Sequence, residues 1–476
     1  MKVILVNPWL RKKLFSEDER NLAENSVLII NESEFFPREF YYIVPKLKEK
    51  CETKVIDANA KKLDAKKLME IISEEMPDFI GIPTMSYWDA RCPTPFFPHV
   101  TEITQAIKKK FPEIKIIVFG PHGTLFSEKV LKETKADFLL KGEPELKFSE
   151  IVFSRNIKTL KGVAYLDNGV LVDNGISEPV ELDKLPEADF SWIDFSHYLK
   201  NDFAFLVMAS RGCPFNCTYC ANSLFSRFRE RNIDSVINEI KILVDKGVKR
   251  IAFADDIFTL NKKRTIELCE ELSRIKNVPR WHCQTRADCL DKEIFLAMKK
   301  ANCSLVMIGV ESASQIVLDK ANKRIKREEY QRVINISKET KLPIHLFLIS
   351  FLPGETRETL NETVKFLRKN QPVKFSFAVA TPLPGSKLWE DMLKNKELKE
   401  GSYFESMQHL GCFAEKNFDK NFIKNYYKVL PTEVAFGMGP KYFLEMIKII
   451  LVKPKQLIHF LNKSYDMAVY KIKEMF

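Results

Sequence analysis

The sequence predicts two successive α/β domains, a parallel sheet with helices on both faces and then a partial barrel of six strand–helix units, followed by a mostly helical region. Three observations predict this. Short β-type runs alternate with helical patterns over residues 1–145. The same alternation returns over residues 203–400, and no clear strand follows residue 400. Strands that alternate with helices pair in parallel, because each return crossing lays a helix over the sheet.

The first domain, 1–145, holds strands at Lys2–Val6, Thr53–Asp57, Asp78–Ile82, Ile114–Phe119 and Ala136–Leu140. Helical stretches lie between them, near 38–50, 63–76, 98–111 and 124–133. The run IKIIVFG suits a strand buried on both faces. Ligands of such sheets bind beyond the carboxyl ends of the strands. Residues 146–200 read as a hairpin and linker. KGVAYLDNGVLVDNG holds two β runs around Asn168-Gly169, a hairpin signal, and ELDKLPEADFSWID is irregular and broken by Pro.

The barrel domain, 201–400, has strands at Phe203–Ala209, Arg250–Ala254, Arg280–Gln284, Ser304–Gly309, Ile344–Phe351 and Lys374–Ala380. Amphipathic helices such as DSVINEIKILVDKG and REEYQRVINISKETK separate them. A TIM-type partial barrel carries its chemistry in the loops after the strands. The last region, 401–476, is read as helical. From residue 441, seven Lys stand against three acidic residues among apolar ones. That pattern fits a basic amphipathic helix on a membrane or around a lipid-like substrate, or a helical subdomain packed on the barrel.

A length of 476 residues suits two to four domains, and 45% hydrophobic with 29% charged residues is a globular balance that excludes a disordered or fibrous chain. No solenoid or propeller period is present. The apolar run of MKVILVNPWL is too short for a secretory signal and reads as a first strand. No uncharged apolar stretch reaches about 18 residues, so no membrane span is expected and the chain is assigned to the cytoplasm. Lys and Arg total 75 against 64 Asp and Glu, a net +11 that reads as solubility or as attraction for phosphates, carboxylates or an anionic membrane surface.

Ten Cys in a cytosolic chain do not make a disulfide framework. Seven are scattered: Cys51, Cys92, Cys269, Cys283, Cys289, Cys303 and Cys412. The other three, Cys213, Cys217 and Cys220, form C-x3-C-x2-C in SRGCPFNCTYCANS, directly after a predicted strand. A structural zinc site needs four ligands, and no fourth Cys or His lies nearby. Three thiolates on a four-iron cluster leave one iron open for a substrate or cofactor.

This motif resembles that of the radical S-adenosylmethionine (radical SAM) superfamily, C-x3-C-x-aromatic-C, with Tyr219 as the aromatic. The resemblance implies a [4Fe-4S] cluster whose open iron chelates the amine and carboxylate of S-adenosylmethionine, and a 5′-deoxyadenosyl radical that abstracts hydrogen from substrate. Further matches follow the strands in order. Asp255 and Asp256 in IAFADDIFT resemble the contact to the methionine amine, a charge-assisted role that suits carboxylates, or else cap a helix. Gln284 and Arg286 in WHCQTRAD face the same site, where Arg286 would pair with the methionine carboxylate or form a structural ion pair. Gly309 and Glu311 in IGVES resemble the ribose and methionine contact, and Pro353 and Gly354 in FLPGET the adenine region.

VFGPHGTLFSE and ADFLLKGEPE resemble the Rossmann-like cobalamin-binding domain that precedes many of these barrels. The resemblance implies that Gly120, Gly123 and Gly142, with the neighbouring Glu143, let the backbone approach the corrin or its nucleotide tail. Thr124 would cap its helix or bind the tail, and the loop from Pro83 through Thr84, Met85 and Ser86 would meet the corrin face. No His stands two residues after an Asp, so D-x-H-x-x-G is missing and cobalt is expected without a protein His ligand. His122 lies in the cofactor loop as a hydrogen-bonder. Neither G-x-G-x-x-G nor a P-loop is present, which argues against a nucleotide site.

The resemblance covers about residues 1–400. It implies a cobalamin-dependent radical SAM enzyme, class B methyltransferase-like, that methylates an unactivated carbon of a small-molecule, lipid or tetrapyrrole-like substrate. The alternatives are a ring-forming or oxidative enzyme built from the same parts, and a non-catalytic cobalamin or metal sensor. A methylthiolating enzyme acting on tRNA needs a second upstream trio of cysteines, and only Cys51 and Cys92 precede residue 213. A flavodoxin or ferredoxin is the expected reductant. The chain is expected to be a monomer without a nucleic-acid partner, with peripheral membrane contact through its basic C-terminal region. Cys412 would face substrate or sit as a buried structural thiol.

Overall fold

The computed structural model describes residues 1–8, 37–84, 97–200, 203–221, 227–370, 374–398 and Phe418. Apart from Phe418, the expectations for residues beyond 400 lie outside the described residues, as do those for Met85 and Ser86.

The first sheet has the order β2-β1-β3-β4-β5-β6-β7, with β1 at Lys2–Asn7, β2 at Glu52–Asp57, β3 at Phe79–Pro83, β4 at Lys115–Phe119, β5 at Phe138–Leu140, β6 at Val163–Asp167 and β7 at Val170–Asp173. Strands β1 to β5 are parallel; β6 and β7 run antiparallel. Alternate residues feed two cores. Ile4, Val6, Ile80, Ile82, Ile116 and Val118 pack on one side, and Val3, Leu5, Ile117 and Phe119 on the other. Burial of both faces is what the continuous apolar runs require. The strand order reverses between β1 and β3, so the crevice for a ligand opens at the carboxyl ends of those two strands.

Two expectations change here. The hairpin of 163–173, read as part of a connector, completes the first sheet through the pairs Leu139↔Ala164 and Leu140↔Val163. The single helix expected near 124–133 is split into Pro121–Leu125 and Ser127–Thr134 by a non-helical Phe126. The following linker lies on the first domain, where Asp189 N–H donates to the Tyr41 carbonyl at 2.9 Å and Trp192 meets Phe40 edge-on at 5.8 Å.

The second sheet is wholly parallel, in the order β15-β14-β13-β12-β11-β8. Its strands are β8 at Phe205–Val207, β11 at Arg250–Phe253, β12 at Arg280–Thr285, β13 at Cys303–Glu311, β14 at Ile344–Ser350 and β15 at Lys374–Val379. A small antiparallel pair, β9 at Ser210–Arg211 and β10 at Arg229–Glu230, stands beyond β8. Phe205, Phe253, Trp281, Val306 and Leu346 pack outward on helices such as Ile233–Asp245 and Arg327–Thr340. The alternate set, including Gln284, Met307 and Phe347, faces the barrel interior. Among the described residues no helix is long and apolar enough to cross a membrane.

Candidate active site

The cysteine loop leaves β8 early. Ladder pairing stops at Val207 because the next backbone groups are taken by carboxylates after β11. Asp255 accepts from Ala209 N–H at 2.9 Å and from the Ser210 hydroxyl at 2.6 Å, while Asp256 accepts from Gly212 N–H at 2.8 Å. Asp255 is buried, which pushes its carboxyl up to about 6 despite those hydrogen bonds. Asp256 is only half-buried. Both therefore hold the loop, and Asp256 is the one also open toward it.

The far side of the loop is fixed by three other segments. Thr218 N–H donates to the Ala321 carbonyl at 3.0 Å, and Leu388 N–H donates to the Thr218 carbonyl at 2.8 Å. Asn322 donates to the Asn216 carbonyl at 2.8 Å. Arg286 lies over the Phe215 ring at 3.7 Å. Arg286 also forks onto Asp288 at 3.0 and 2.8 Å and donates to the Lys323 carbonyl at 2.9 Å. The structural ion pair is thus present, and this guanidinium is built into the loop's support.

Cys213, Cys217 and Cys220 are half-buried free thiols on this one loop. Burial, above all, pushes the Cys213 thiol up. Among the described residues no three His, Cys, Asp or Glu side chains converge on a single metal ion. Thiolates on separate irons of a cubane stand further apart than ligands of one ion, so three half-open thiols that do not converge on a point fit a [4Fe-4S] cluster better than zinc. Tyr219 is wedged between them and meets Lys323 Nζ at 3.2 Å. Lys323 is itself buried and pairs with Glu311 at 2.7 Å. A Cβ at Gly309 would lie 2.4 Å from Glu311 Oε1 and 3.1 Å from Lys323 Nζ, so glycine is required there for this pair. Gln284 donates to the Asp255 carbonyl at 3.1 Å. Gly354 turns with φ +84° beside Lys320, next to a half-buried Pro353.

The loops expected to meet the corrin follow β3, β4 and β5, beside the switch point between β1 and β3. Thr84 follows β3, and its N–H and hydroxyl both donate to the Phe119 carbonyl, at 2.7 and 3.1 Å. Gly120 (φ 124°) precedes the short helix that carries His122, Gly123 and Thr124. Thr124 bridges two loops, donating to the Gly120 carbonyl at 3.1 Å and accepting from Gly142 N–H at 3.2 Å. Burial brings the buried His122 down to about 4, partly offset by a hydrogen bond with the Thr84 backbone. Gly123 and Gly142 make room for protein. Their Cβ atoms would lie 2.1 Å from Leu139 Cδ1 and 2.4 Å from Ser177 Oγ. Thr84, Gly120 and Thr124 thus stand together beyond the carboxyl ends of β3 and β4, the end of a parallel sheet at which ligands bind.

The Glu143 side chain is held by protein. Its carboxylate accepts from Arg229 at 2.6 and 2.9 Å and from Val180 N–H at 2.8 Å, and pairs with Arg211 at 3.0 Å. Glu145 takes the other arm of Arg211. The charges hold Glu143 below the usual carboxylate range against its burial. Its oxygens are spent on protein, and it ties the loop after β5 to both β9 and β10. Sequence reasoning passed over Arg211, Arg229, Glu145 and Lys323. Two acids in GEPE and an Arg immediately before the first motif glycine were the available signals.

This architecture agrees with what is known of other proteins. The family model described as Radical SAM superfamily matches residues 207–367, and the B12 binding domain model matches residues 29–152. The uncharacterized methyltransferase PH0819 of Pyrococcus horikoshii is 30% identical over 85% of this chain and 88% of its own length. An anaerobic magnesium-protoporphyrin IX monomethyl ester cyclase of Rubrivivax gelatinosus is 30% identical over 71% of this chain and 62% of its own. The fold is that of the radical S-adenosylmethionine methyltransferase TsrM of Kitasatospora setae with cobalamin and [4Fe-4S] cluster bound, at TM-score 0.68 and 17% identity over 83% of this chain and 78% of that one. The chain, with its three-thiol loop after β8 and its B12-binding first domain, belongs to the cobalamin-dependent radical S-adenosylmethionine enzymes of methyltransferase type, whose cofactors are a [4Fe-4S] cluster, S-adenosylmethionine and cobalamin.

Proposed function

We propose that this enzyme methylates an unactivated carbon of an apolar, tetrapyrrole- or lipid-like small molecule, drawing single electrons from a flavodoxin- or ferredoxin-type donor in the cytoplasm. The observation that carries the reading is the double clamp of Arg211 and Arg229 on Glu143, which joins the cobalamin-side loop to the cysteine loop. When bound, the cofactors supply hydrogen-atom abstraction and a transferable methyl group.

The chain's own part is to bind and orient. Cys213, Cys217 and Cys220 would hold the cluster as thiolates, and burial of Cys213, which disfavours its charged form, would make that loading pH-dependent. Asp256, half-buried beside Cys213, is placed to receive an ammonium group. Arg286 pairs with Asp288 and Lys323 with Glu311, and the bond from Arg286 to the Lys323 carbonyl links the two pairs into one wall. The cradle of Thr84, Gly120 and Thr124 receives the corrin.

Deleting the gene in its host and comparing metabolites and lipids by mass spectrometry tests the proposal. A compound lighter by one CH2 in the deletion strain supports it. The similarity to the cyclase favours one second reading, ring formation without methyl transfer. A lost ring or hydroxyl at unchanged carbon count would replace the first reading by that one.

A further inference from the structure

The segments that lead from a barrel helix into the next strand are VDKGVKR (244–250), SRIKNVPR (273–280), MKKANC (298–303), SKETKLP (337–343) and LRKNQPVK (367–374). Together they hold thirteen Lys and Arg against Asp245 and Glu339. Because β11 to β15 run parallel, the described residues of all five lie at the amino ends of the strands, the end of the barrel opposite the cysteine loop. Twelve of the thirteen are exposed, and Arg250 is half-buried. Arg274 spends its charge on Glu271, whereas Lys249, Lys276, Arg280, Lys341 and Lys374 make no ion pair among the described residues.

The preference of helix carboxyl ends for cations does not account for this. The first domain has the same kind of connection in 45–52, 72–79, 107–115 and 131–138, each counted from the last helical turn, and these carry nine cations against eight acids. In the barrel the charge also extends past the helices onto the first strand residues Arg250, Arg280 and Lys374. Its field reaches inward: burial first, then Arg250 and Lys374, hold His282 down at about 4.

Nine of the thirteen are Lys, a hydrated point charge that suits a diffuse anionic surface, where bidentate recognition would call for Arg. No Phe, Tyr or Trp interrupts the five segments, so the stacking platforms of a nucleic-acid groove are missing there. An electron donor to the cluster belongs at the other end, since a strand's length of barrel intervenes. We infer that the amino-terminal end of the barrel docks on an anionic lipid bilayer. This orientation turns the cysteine loop toward water, where a soluble reductant reaches it. The inference stands apart from the identity of the substrate.

The test is co-sedimentation of the reconstituted full-length holoprotein with phosphatidylcholine vesicles, with and without phosphatidylglycerol. The expected result is binding to the anionic vesicles alone, weakened by salt. K276E/R280E/K374E should lower that binding about tenfold or more, while K61E/K66E/K109E, the same charge change on the first domain, binds like wild type. Corrin absorption and 5′-deoxyadenosine formation report that the variants are folded, and K276Q/R280Q/K374Q gives the same ordering if charge reversal prevents folding. Wild type that ignores anionic vesicles, equal losses in both triple variants, or binding that survives the reversal would overturn the inference. So would binding to RNA that is tighter than to vesicles and is abolished by K276E/R280E/K374E.

Discussion

Arg211 and Glu143 meet 3.0 Å apart across the junction of the two domains, with side chains only 8% and 4% exposed. Arg211 stands immediately before Gly212 and Cys213, and Glu143 immediately after Gly142. Any movement of one cofactor loop is therefore passed to the other through a buried ion pair. Such a pair fixes geometry strongly, because neither charge tolerates separation from its partner.

The first prediction follows from that cost. Arg211→Ala leaves Glu143 and Glu145 with fewer partners and should lower stability by about 3–5 kcal/mol in chemical denaturation. Adding Glu145→Leu to it should recover part of the loss. Additive losses in the double variant would show that the two side chains act independently.

Gly309 gives the second. Alanine there drives a methyl group into the Lys323–Glu311 pair. Gly309→Ala should destabilise by about 1–3 kcal/mol and weaken S-adenosylmethionine binding in calorimetry, while cobalamin content stays at the wild-type level. Unchanged S-adenosylmethionine affinity would remove Glu311 from the cofactor wall.

The sequence showed the strands plainly, because IKIIVFG and its neighbours are apolar on both faces and the cysteine spacing is local. What it hid is long-range. Glu143 reads as a cofactor-loop residue until Arg229, 86 residues later, is folded against it. The hairpin around Asn168-Gly169 is legible by its turn, but its docking on β5 depends on an edge the local sequence does not reveal. Lys323 likewise gains its meaning only beside Tyr219, 104 residues earlier. Asp255 and Asp256 were placed at the right loop, yet their hydrogen bonds to Ala209, Ser210 and Gly212 depend on how β8 ends.

Two buried groups predict opposite pH trends. Burial pushes Glu355 up to about 8, so the folded chain keeps a proton that the unfolded chain releases near its ordinary 4.5. Its contribution to stability is full below about 4.5 and is lost as pH rises toward 8. His122, held at about 4 against an ordinary 6.5, acts the other way: its contribution is full above 6.5 and is lost as pH falls toward 4. Denaturation across this range should show Glu355→Gln flattening the alkaline slope and His122→Gln the acid one. Parallel pH profiles for wild type and variants would contradict both assignments.

Cysteine replacement separates the two cofactor sites. Cys217→Ala should abolish S-adenosylmethionine cleavage and strip the iron–sulfur absorption, while the corrin band remains, because the cobalamin cradle shares no ligand with the thiol loop. Loss of both bands together would mean that the first domain cannot load without the cluster.

The most direct measurement is electron paramagnetic resonance of the anaerobically reconstituted, reduced protein before and after addition of S-adenosylmethionine. About four irons and four sulfides per chain, with a signal that shifts when S-adenosylmethionine is added, is the predicted result. A spectrum indifferent to S-adenosylmethionine, or zinc without sulfide at Cys213, Cys217 and Cys220, would contradict the account.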